Sequence, residues 1–136
     1  KINYLNMEEE HKKILFIEDR RSYQDAMAKV FKDGGYEVVS AYDGESGLKL
    51  MESENPNLVF LDLIVPKKDG FQVLKEVKES ISLSKIPVIV LTNLESSYEV
   101  GKALSLGAQA YLVKANYTLE DIVKKAEEVL SKHDHK

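Results

Sequence analysis

The sequence contains no cysteine, so it offers neither a disulfide framework nor a thiolate for catalysis. It has no excess of basic residues either. The 19 Lys and Arg against 23 Asp and Glu give a net charge of -4, which does not favour direct binding to nucleic-acid phosphates. Its longest apolar runs are strand-sized, well below the roughly 20 residues that span a bilayer, and its beginning lacks a signal-peptide pattern. These absences predict a cytoplasmic protein without a membrane span.

The length and composition fit one globular domain. The 136 residues are 43% hydrophobic and 31% charged, which is enough apolar material for a single core and too little chain for a second domain. We assign residues 13–131 to this domain. Residues 1–12 are predicted to be a flexible N-terminal extension, and residues 132–136 a polar tail.

Short apolar runs alternate with segments of helical spacing along the domain. Strands are predicted at residues 14–17, 37–41, 58–61, 86–91 and 108–113. The first helix is predicted to have an apolar face and to end at Gly34. That face consists of Tyr23, Ala26, Met27, Val30 and Phe31. Asp43 is a predicted N-cap for the second helix. Ser96 with Glu99 forms a predicted capping box before the fourth helix. Five βα units therefore follow one another.

The remaining two helices are defined by their apolar faces. One face of the third helix is predicted to carry Phe71, Leu74, Val77 and Ile81. The fifth helix is predicted to open at Thr118 and Asp121, with Leu119, Ile122, Val123, Ala126, Val129 and Leu130 on one side. Strands that are apolar on both faces and alternate with amphipathic helices require a parallel sheet covered on both sides. The predicted fold is a three-layer α/β sandwich.

Polar residues stand where four of the predicted strands end. Glu18 and Asp19 follow the first strand, Asp62 the third, Thr92 the fourth and Lys114 the fifth. In parallel sheets of this kind, ligands bind at the carboxyl ends of the strands. The topology therefore predicts that these five residues share one site.

The residue types indicate phosphoryl chemistry. Glu18, Asp19 and Asp62 would repel one another unless a cation intervened, and all-oxygen ligation favours Mg²⁺, or Mn²⁺, over zinc. Lys114 supplies a point charge and Thr92 a hydroxyl for phosphoryl oxygens. Asp62 is the candidate nucleophile, which would form an aspartyl phosphate.

Together these motifs resemble the receiver domain of bacterial two-component response regulators, including the chemotaxis regulators. The resemblance covers about residues 13–130. It is carried by Glu18 and Asp19, by residues 62–70 with Pro66, Asp69 and Gly70, by Leu91 and Thr92, and by residues 111–114. It implies a (βα)5 flavodoxin-like sandwich whose five-stranded parallel sheet has the order 2-1-3-4-5.

The resemblance also implies roles for individual residues. Asp62 would accept a phosphoryl group from a histidine kinase or phosphotransfer protein. Asp19, Asp62 and the backbone carbonyl of Ile64 would hold Mg²⁺, with Glu18 acting directly or through water. Such a protein is a phosphoacceptor switch that assists its own phosphorylation and slow dephosphorylation, not a turnover enzyme.

Signal output would depend on a second set of residues. Thr92 and Lys114 would bind the phosphoryl oxygens, and Thr92 and Tyr111 would change position to remodel the surface of the last two βα units. A downstream protein target or an output domain would read that surface, and a phosphorylation-dependent homodimer could form through it. Both a stand-alone regulator and the receiver of a longer chain fit the sequence.

Four positions depart from the commonest family pattern or tune it. Ala115 follows Lys114 where the family usually has proline, so a cis peptide bond is not expected there. Asn93 follows Thr92 where a smaller residue is usual, which would either narrow access or add a hydrogen bond. Ile64 and Leu94 occupy the positions that tune hydrolysis in the family, and neither can orient an attacking water. We therefore expect slow self-dephosphorylation.

Three other functions are compatible with this fold type. A flavin-binding module needs a glycine- and hydroxyl-rich phosphate loop after the first strand, where Glu18 and Asp19 would repel the phosphate. An aspartate phosphohydrolase would carry a second carboxylate two residues after the nucleophile, where this chain has Ile64. The remaining rival is a protein-interaction module with the receiver fold that acts without phosphorylation, for which Asn93 and Ala115 are the only hints.

Overall fold

Five strands and five helices alternate along the computed structural model, which describes residues 11–134. The strands are β1 (Lys13–Ile17), β2 (Glu37–Ala41), β3 (Leu58–Leu61), β4 (Val88–Thr92) and β5 (Ala110–Val113). The helices are α1 (Arg21–Asp33), α2 (Gly44–Glu54), α3 (Gly70–Glu79), α4 (Ser97–Ser105) and α5 (Leu119–Asp134). Short 3-10 turns occupy Leu83–Lys85 and Lys114–Asn116. Most of the predicted N-terminal extension, residues 1–10, and the end of the polar tail lie outside the described residues.

All strands are parallel, and the sheet order is β2-β1-β3-β4-β5. The predicted order is therefore confirmed. β1 lies between β2 and β3, with Ile14 opposite both Val38 of β2 and Leu58 of β3. The chain winds outward in one direction to β2 and in the other through β3 to β5, so the carboxyl ends of β1 and β3 flank the point of reversal.

Successive residues of each central strand face opposite layers. Ile14 and Phe16 of β1 pack with Phe31 of α1 and with α5 residues in one core. Leu15 and Ile17 belong to the other core, which α2, α3 and α4 complete. The Phe16 and Phe60 rings stack with centroids 5.1 Å apart, which joins the first core across β1 and β3. The three-layer sandwich predicted from the hydrophobic pattern is confirmed.

The predicted helix caps are present. Asp43 accepts a 2.7 Å hydrogen bond from the Ser46 N–H at the start of α2. Ser96 and Glu99 form the capping box of α4. Thr118 and Asp121 bond reciprocally at the start of α5, each side chain accepting from the other residue's N–H. These contacts satisfy backbone donors that a helix leaves unpaired at its first turn.

Some predicted boundaries differ from the structure. Ile81 does not continue the buried face of α3, because the helix ends at Glu79 and Ser80 is extended; Ile81 is 88% exposed. β4 and β5 each begin two residues later than predicted. α5 continues to Asp134, so residues 132–134 of the predicted polar tail are helical. Within residues 11–134, none of the helices has the length and apolar character needed to cross a bilayer.

Candidate functional site

One edge of the sheet collects the polar residues predicted to form the site. Glu18 directly follows β1, Asp62 follows β3, Thr92 is the last residue of β4 and Lys114 follows β5. Because the strands are parallel, these four positions meet at the carboxyl edge. At this edge Glu18, Asp62 and Thr92 are buried, whereas Asp19 is exposed to solvent.

The Asp62 carboxylate has a partner on each oxygen. Thr92 Oγ1 donates a 2.7 Å hydrogen bond to Oδ1, which also accepts from the Ile64 N–H at 3.1 Å. Lys114 Nζ donates to Oδ2 at 2.9 Å. The lysine and aspartate side chains are only 7% and 9% exposed, so water screens this ion pair weakly. A buried carboxylate is thus held by a cation and two neutral donors.

Glu18 shares the same lysine. Lys114 Nζ also donates to Glu18 Oε1, and the Arg20 N–H donates to Oε2 at 2.8 Å. Burial raises the pKa of Glu18, although the bonds from Lys114 and Arg20 act in the opposite direction. The raised pKa indicates that one lysine and one backbone N–H do not fully compensate this buried negative charge.

Three carboxylates converge closely enough to bind one cation. Glu18, Asp19 and Asp62 each offer an oxygen, and these atoms lie within 4.8 Å of one another. Asp19 and Asp62 border an open depression of about 360 Å³ that Arg20, Ile64, Thr92, Asn93 and Lys114 also line. A donor set made only of oxygens suits a hard divalent cation. The site can therefore bind a divalent metal beside a buried aspartate.

Tyr23 of α1 completes the environment of Lys114. The Lys114 Nζ atom lies 4.6 Å from the centre of the Tyr23 ring, which is within the range of a cation–π contact. Burial, and then the negative charges of Glu18 and Asp62, raise the pKa of the Tyr23 hydroxyl to about 12. The sequence pattern assigned Tyr23 only to the apolar face of the first helix, so its contact with the site was missed.

Gln24 was missed altogether. Its side chain is 1% exposed, and Nε2 lies within hydrogen-bond distance of three carbonyl oxygens: Phe16 at 3.0 Å, Glu18 at 3.2 Å and Ala41 at 2.8 Å. These carbonyls belong to the ends of β1 and β2, so Gln24 ties α1 to the backbone that presents Glu18. The available signal was its spacing of three and seven residues before Met27 and Phe31, the other buried residues of α1.

Tyr111 links β5 to the loop after β4. Its hydroxyl donates a 2.7 Å hydrogen bond to the Leu94 carbonyl, and the ring is half-buried. The pKa of Tyr111 is raised by burial and then by the negative charges of Glu99 and Asp62.

Two positions that depart from the common family pattern also lie near the site. Asn93 is exposed beside the depression. No cis peptide bond occurs in residues 11–134, so the bond between Lys114 and Ala115 is trans, as expected.

Gly70 allows α3 to begin against the backbone of Asp62 and Leu63. A Cβ atom at this position would lie 2.5 Å from Leu63 Cα and 2.7 Å from the Asp62 carbonyl oxygen, both backbone atoms. The Gly70 N–H donates to the Leu63 carbonyl at 2.9 Å. The loop from Asp62 to α3 therefore closes tightly on itself, and only glycine fits at its end.

Known proteins share both the sequence pattern and the fold of this chain. The family model described as "Response regulator receiver domain" matches residues 14–127. The structure of the Mn²⁺-bound form of response regulator Rcp1 superposes with a TM-score of 0.74 at 33% identity, covering 88% of this chain and 92% of that chain. Fold and sequence thus agree over most of the described residues.

Curated relatives are longer than this chain. The probable transcriptional regulator ycf27 of Cyanophora paradoxa is 42% identical over 108 residues, which cover 79% of this chain and 44% of that protein. The alkaline phosphatase synthesis transcriptional regulatory protein PhoP of Bacillus subtilis is 35% identical over 104 residues, covering 76% of this chain and 42% of PhoP. The chain therefore spans less than half the length of these relatives. It belongs to the response regulator receiver domain family of two-component signalling.

Proposed function

We propose that this chain is a phosphorylation switch that accepts a phosphoryl group on Asp62. The observation that carries the proposal is the buried Asp62 carboxylate, whose two oxygens are bonded by Thr92 and Lys114 beside two further carboxylates. In the transfer, an Asp62 oxygen forms a bond to phosphorus while the P–N bond of a phosphohistidine breaks. The electron pair leaves on the imidazole nitrogen of a histidine kinase or phosphotransfer protein.

Thr92 and Lys114 would pass from the carboxylate to the phosphoryl group. Both already donate to Asp62, so a phosphoryl oxygen attached there lies within reach of the hydroxyl and the ammonium. Preorganised donors of this kind stabilise the charge on the transferring group without having to reorganise. The two residues are thus the groups that hold the phosphoryl oxygens.

Mg²⁺ is the proposed cofactor, with Mn²⁺ as a substitute, and the related Rcp1 structure is a Mn²⁺-bound form. Asp19, Asp62 and the Ile64 backbone carbonyl would hold the ion, and Glu18 would bind it directly or through water. When bound, the cation neutralises charge between the carboxylates and the phosphoryl oxygens. The oxygen donors within 4.8 Å of one another support this assignment.

The output is proposed to pass through Thr92 and Tyr111. When Thr92 transfers its hydrogen bond to a phosphoryl oxygen, the end of β4 shifts toward Asp62. Tyr111 then changes position because its hydroxyl is bonded to the carbonyl of Leu94, in the loop after β4. The shape of the surface formed by α4, β5 and α5 then changes. A protein target, an output domain or a second copy of the chain would bind the changed surface. The relatives are named as transcriptional regulators, which favours an output domain. The proposed location of the switch is the cytoplasm.

The phosphoryl group is proposed to leave slowly. Ile64 is 61% exposed beside Asp62 and Leu94 is half-buried, and neither side chain has a polar atom that could orient a water. Hydrolysis would then lack the group that most accelerates it. A lifetime of only seconds for the purified phosphoprotein would contradict this part of the proposal.

The test is intact mass after incubation with acetyl phosphate and Mg²⁺. We expect a gain of about 80 Da for one phosphoryl group, which requires the metal and is lost in Asp62→Asn. The control is Asp69→Asn, because Asp69 is an exposed carboxylate of the same segment that serves as the N-cap of α3, a role asparagine retains. If the unsubstituted protein stays unmodified with acetyl phosphate and with a phosphorylated histidine donor, the interaction module that acts without phosphorylation replaces this proposal.

A further inference from the structure

Among residues 11–134, the Lys114 ammonium contacts two carboxylates and one aromatic ring. Nζ contacts Glu18 Oε1 and Asp62 Oδ2, and it lies 4.6 Å from the centre of the Tyr23 ring. The lysine side chain is 7% exposed. A cation removed from water in this way is attracted to the negative face of an aromatic ring more strongly than an exposed one. The Tyr23 ring therefore forms the apolar side of the space that the Lys114 ammonium occupies.

We propose that Tyr23 is a positioning residue that holds the Lys114 ammonium over Asp62 during phosphoryl transfer. The inference rests on the proposed function. In that function the two carboxylates that now bond Lys114 become occupied, Asp62 by the phosphoryl group and both by the cation. The Tyr23 ring takes part in neither, because an aromatic face binds neither a divalent cation in this oxygen site nor a phosphoryl oxygen. Tyr23 is the partner that Lys114 keeps throughout the reaction.

The flexibility of lysine explains why such a partner matters. The ammonium sits on a flexible four-carbon stem, and a free lysine side chain loses rotamer entropy when it is fixed in one place. Tyr23 lies on α1, and its half-buried side chain lines a small cavity together with Met27 of α1, Phe16 of β1 and Phe60 of β3. Packing against these residues limits the movement of the ring, so the ring can fix the position of the ammonium relative to the phosphoryl oxygens.

Packing and cation–π attraction predict different results when the ring is changed electronically. Tyr23→Phe keeps the ring face, and phenylalanines carrying one, two or three fluorine atoms weaken its negative potential with little change in shape. We expect Tyr23→Phe to be phosphorylated by acetyl phosphate at nearly the unsubstituted rate. The rate should then fall stepwise along the fluorinated series, and Tyr23→Leu should be about two- to tenfold slower.

A second measurement tests the contact without any phosphorylation. The ε-methylene signals of Lys114 in NMR spectra should carry the upfield shift of a proton over a ring face, retained in Tyr23→Phe and lost in Tyr23→Leu. Equal rates across the fluorinated series, a Tyr23→Phe rate as low as that of Tyr23→Leu, or Lys114 signals without a ring shift would each overturn the inference. Lack of an adduct in the unsubstituted protein, with the ring shift present, would instead contradict the proposed function.

Discussion

The Thr92 hydroxyl donates a 2.7 Å hydrogen bond to Asp62 Oδ1, although the two residues are 30 positions apart in the chain. The bond joins the ends of β3 and β4, which are neighbours in the sheet. Thr92 is fully buried, so no water competes for its hydroxyl. The proposed phosphoacceptor and the residue proposed to report its modification are therefore in direct contact before any phosphoryl group arrives.

Removing the Thr92 hydroxyl should slow phosphorylation. A net hydrogen bond of about 1–1.5 kcal/mol corresponds to roughly a tenfold change in rate if it is made to the transferring group. We expect about this loss in Thr92→Ala, with most of the rate kept in Thr92→Ser. The measurement is the initial rate of adduct formation with acetyl phosphate. A Thr92→Ala rate equal to that of the unsubstituted protein would show that the hydroxyl does not contact the phosphoryl oxygens.

Lys114 should stabilise the metal-free fold. Replacing it with methionine leaves Glu18 and Asp62 buried without their shared cation, and breaking a buried ion pair costs about 3 kcal/mol. We expect a lower midpoint of urea unfolding for Lys114→Met, partly restored by Mg²⁺, because the added cation would neutralise the same carboxylates.

A matched control for this change is Lys125→Met. Lys125 pairs with Glu128 on the surface of α5, and both side chains are more than 30% exposed. Exposed ion pairs contribute about 0–1 kcal/mol. A control as destabilised as Lys114→Met would show that loss of the lysine stem, and not of its buried charge, causes the effect.

The negative charge of Glu18 should lower the free energy of unfolding of the metal-free protein at neutral pH. Its pKa is raised in the folded state by burial, so the folded chain holds this proton to higher pH than the unfolded chain does. The free energy of unfolding should then fall as pH rises from the ordinary carboxyl range through the raised pKa. Glu18→Gln should lack this decrease and should gain less stability from Mg²⁺. Urea titrations from pH 4 to 8, with and without Mg²⁺, check both points.

Most of the site could be predicted because its residues interrupt strong patterns. Asp62 and Thr92 end continuous apolar strands, and parallel strands must end at a common edge. Tyr23 was assigned to the core because its spacing from Met27 and Phe31 is that of any apolar helix face. Its contact with Lys114 depends on how α1 lies across the sheet, which local spacing does not report.

The helix boundary at Ile81 was wrong for a similar reason. Helical spacing continues in the sequence past Glu79, but Ser80 is extended and its hydroxyl accepts a 3.1 Å hydrogen bond from the Leu83 N–H. A serine that bonds to a nearby backbone group competes with the helix. Hydrophobic periodicity alone does not register this competition.

Asp43 should stabilise α2 in a way that depends on pH. The hydrogen bonds from Ser46, together with the charge of Lys67, lower its pKa. The stabilisation is therefore present above the ordinary aspartate pKa and is lost as pH falls through the lowered folded value. Asp43→Ala should cost about 1 kcal/mol at pH 7. Asp43→Asn keeps the cap, so it should remain nearly as stable at pH 7 while losing less stability between pH 5 and pH 3; an identical acid response would contradict this role.

Two glycines should respond oppositely to alanine. At Gly70 the new Cβ would meet the backbone of Leu63 and Asp62. At Gly101, an exposed position inside α4, a new Cβ would have no neighbour within 4 Å among the described residues outside its own stretch of helix. Gly101→Ala should stabilise the protein by about 0.5–1 kcal/mol, because alanine is the better helix residue. Gly70→Ala should destabilise it by about 1–3 kcal/mol, the usual cost of overpacking. Because the clash is with the backbone of Asp62 and Leu63, we expect its relief to displace Asp62. Phosphorylation by acetyl phosphate should then also slow in Gly70→Ala under conditions where the variant is still folded. Unchanged phosphorylation in a destabilised Gly70→Ala would show that α3 moves instead of Asp62.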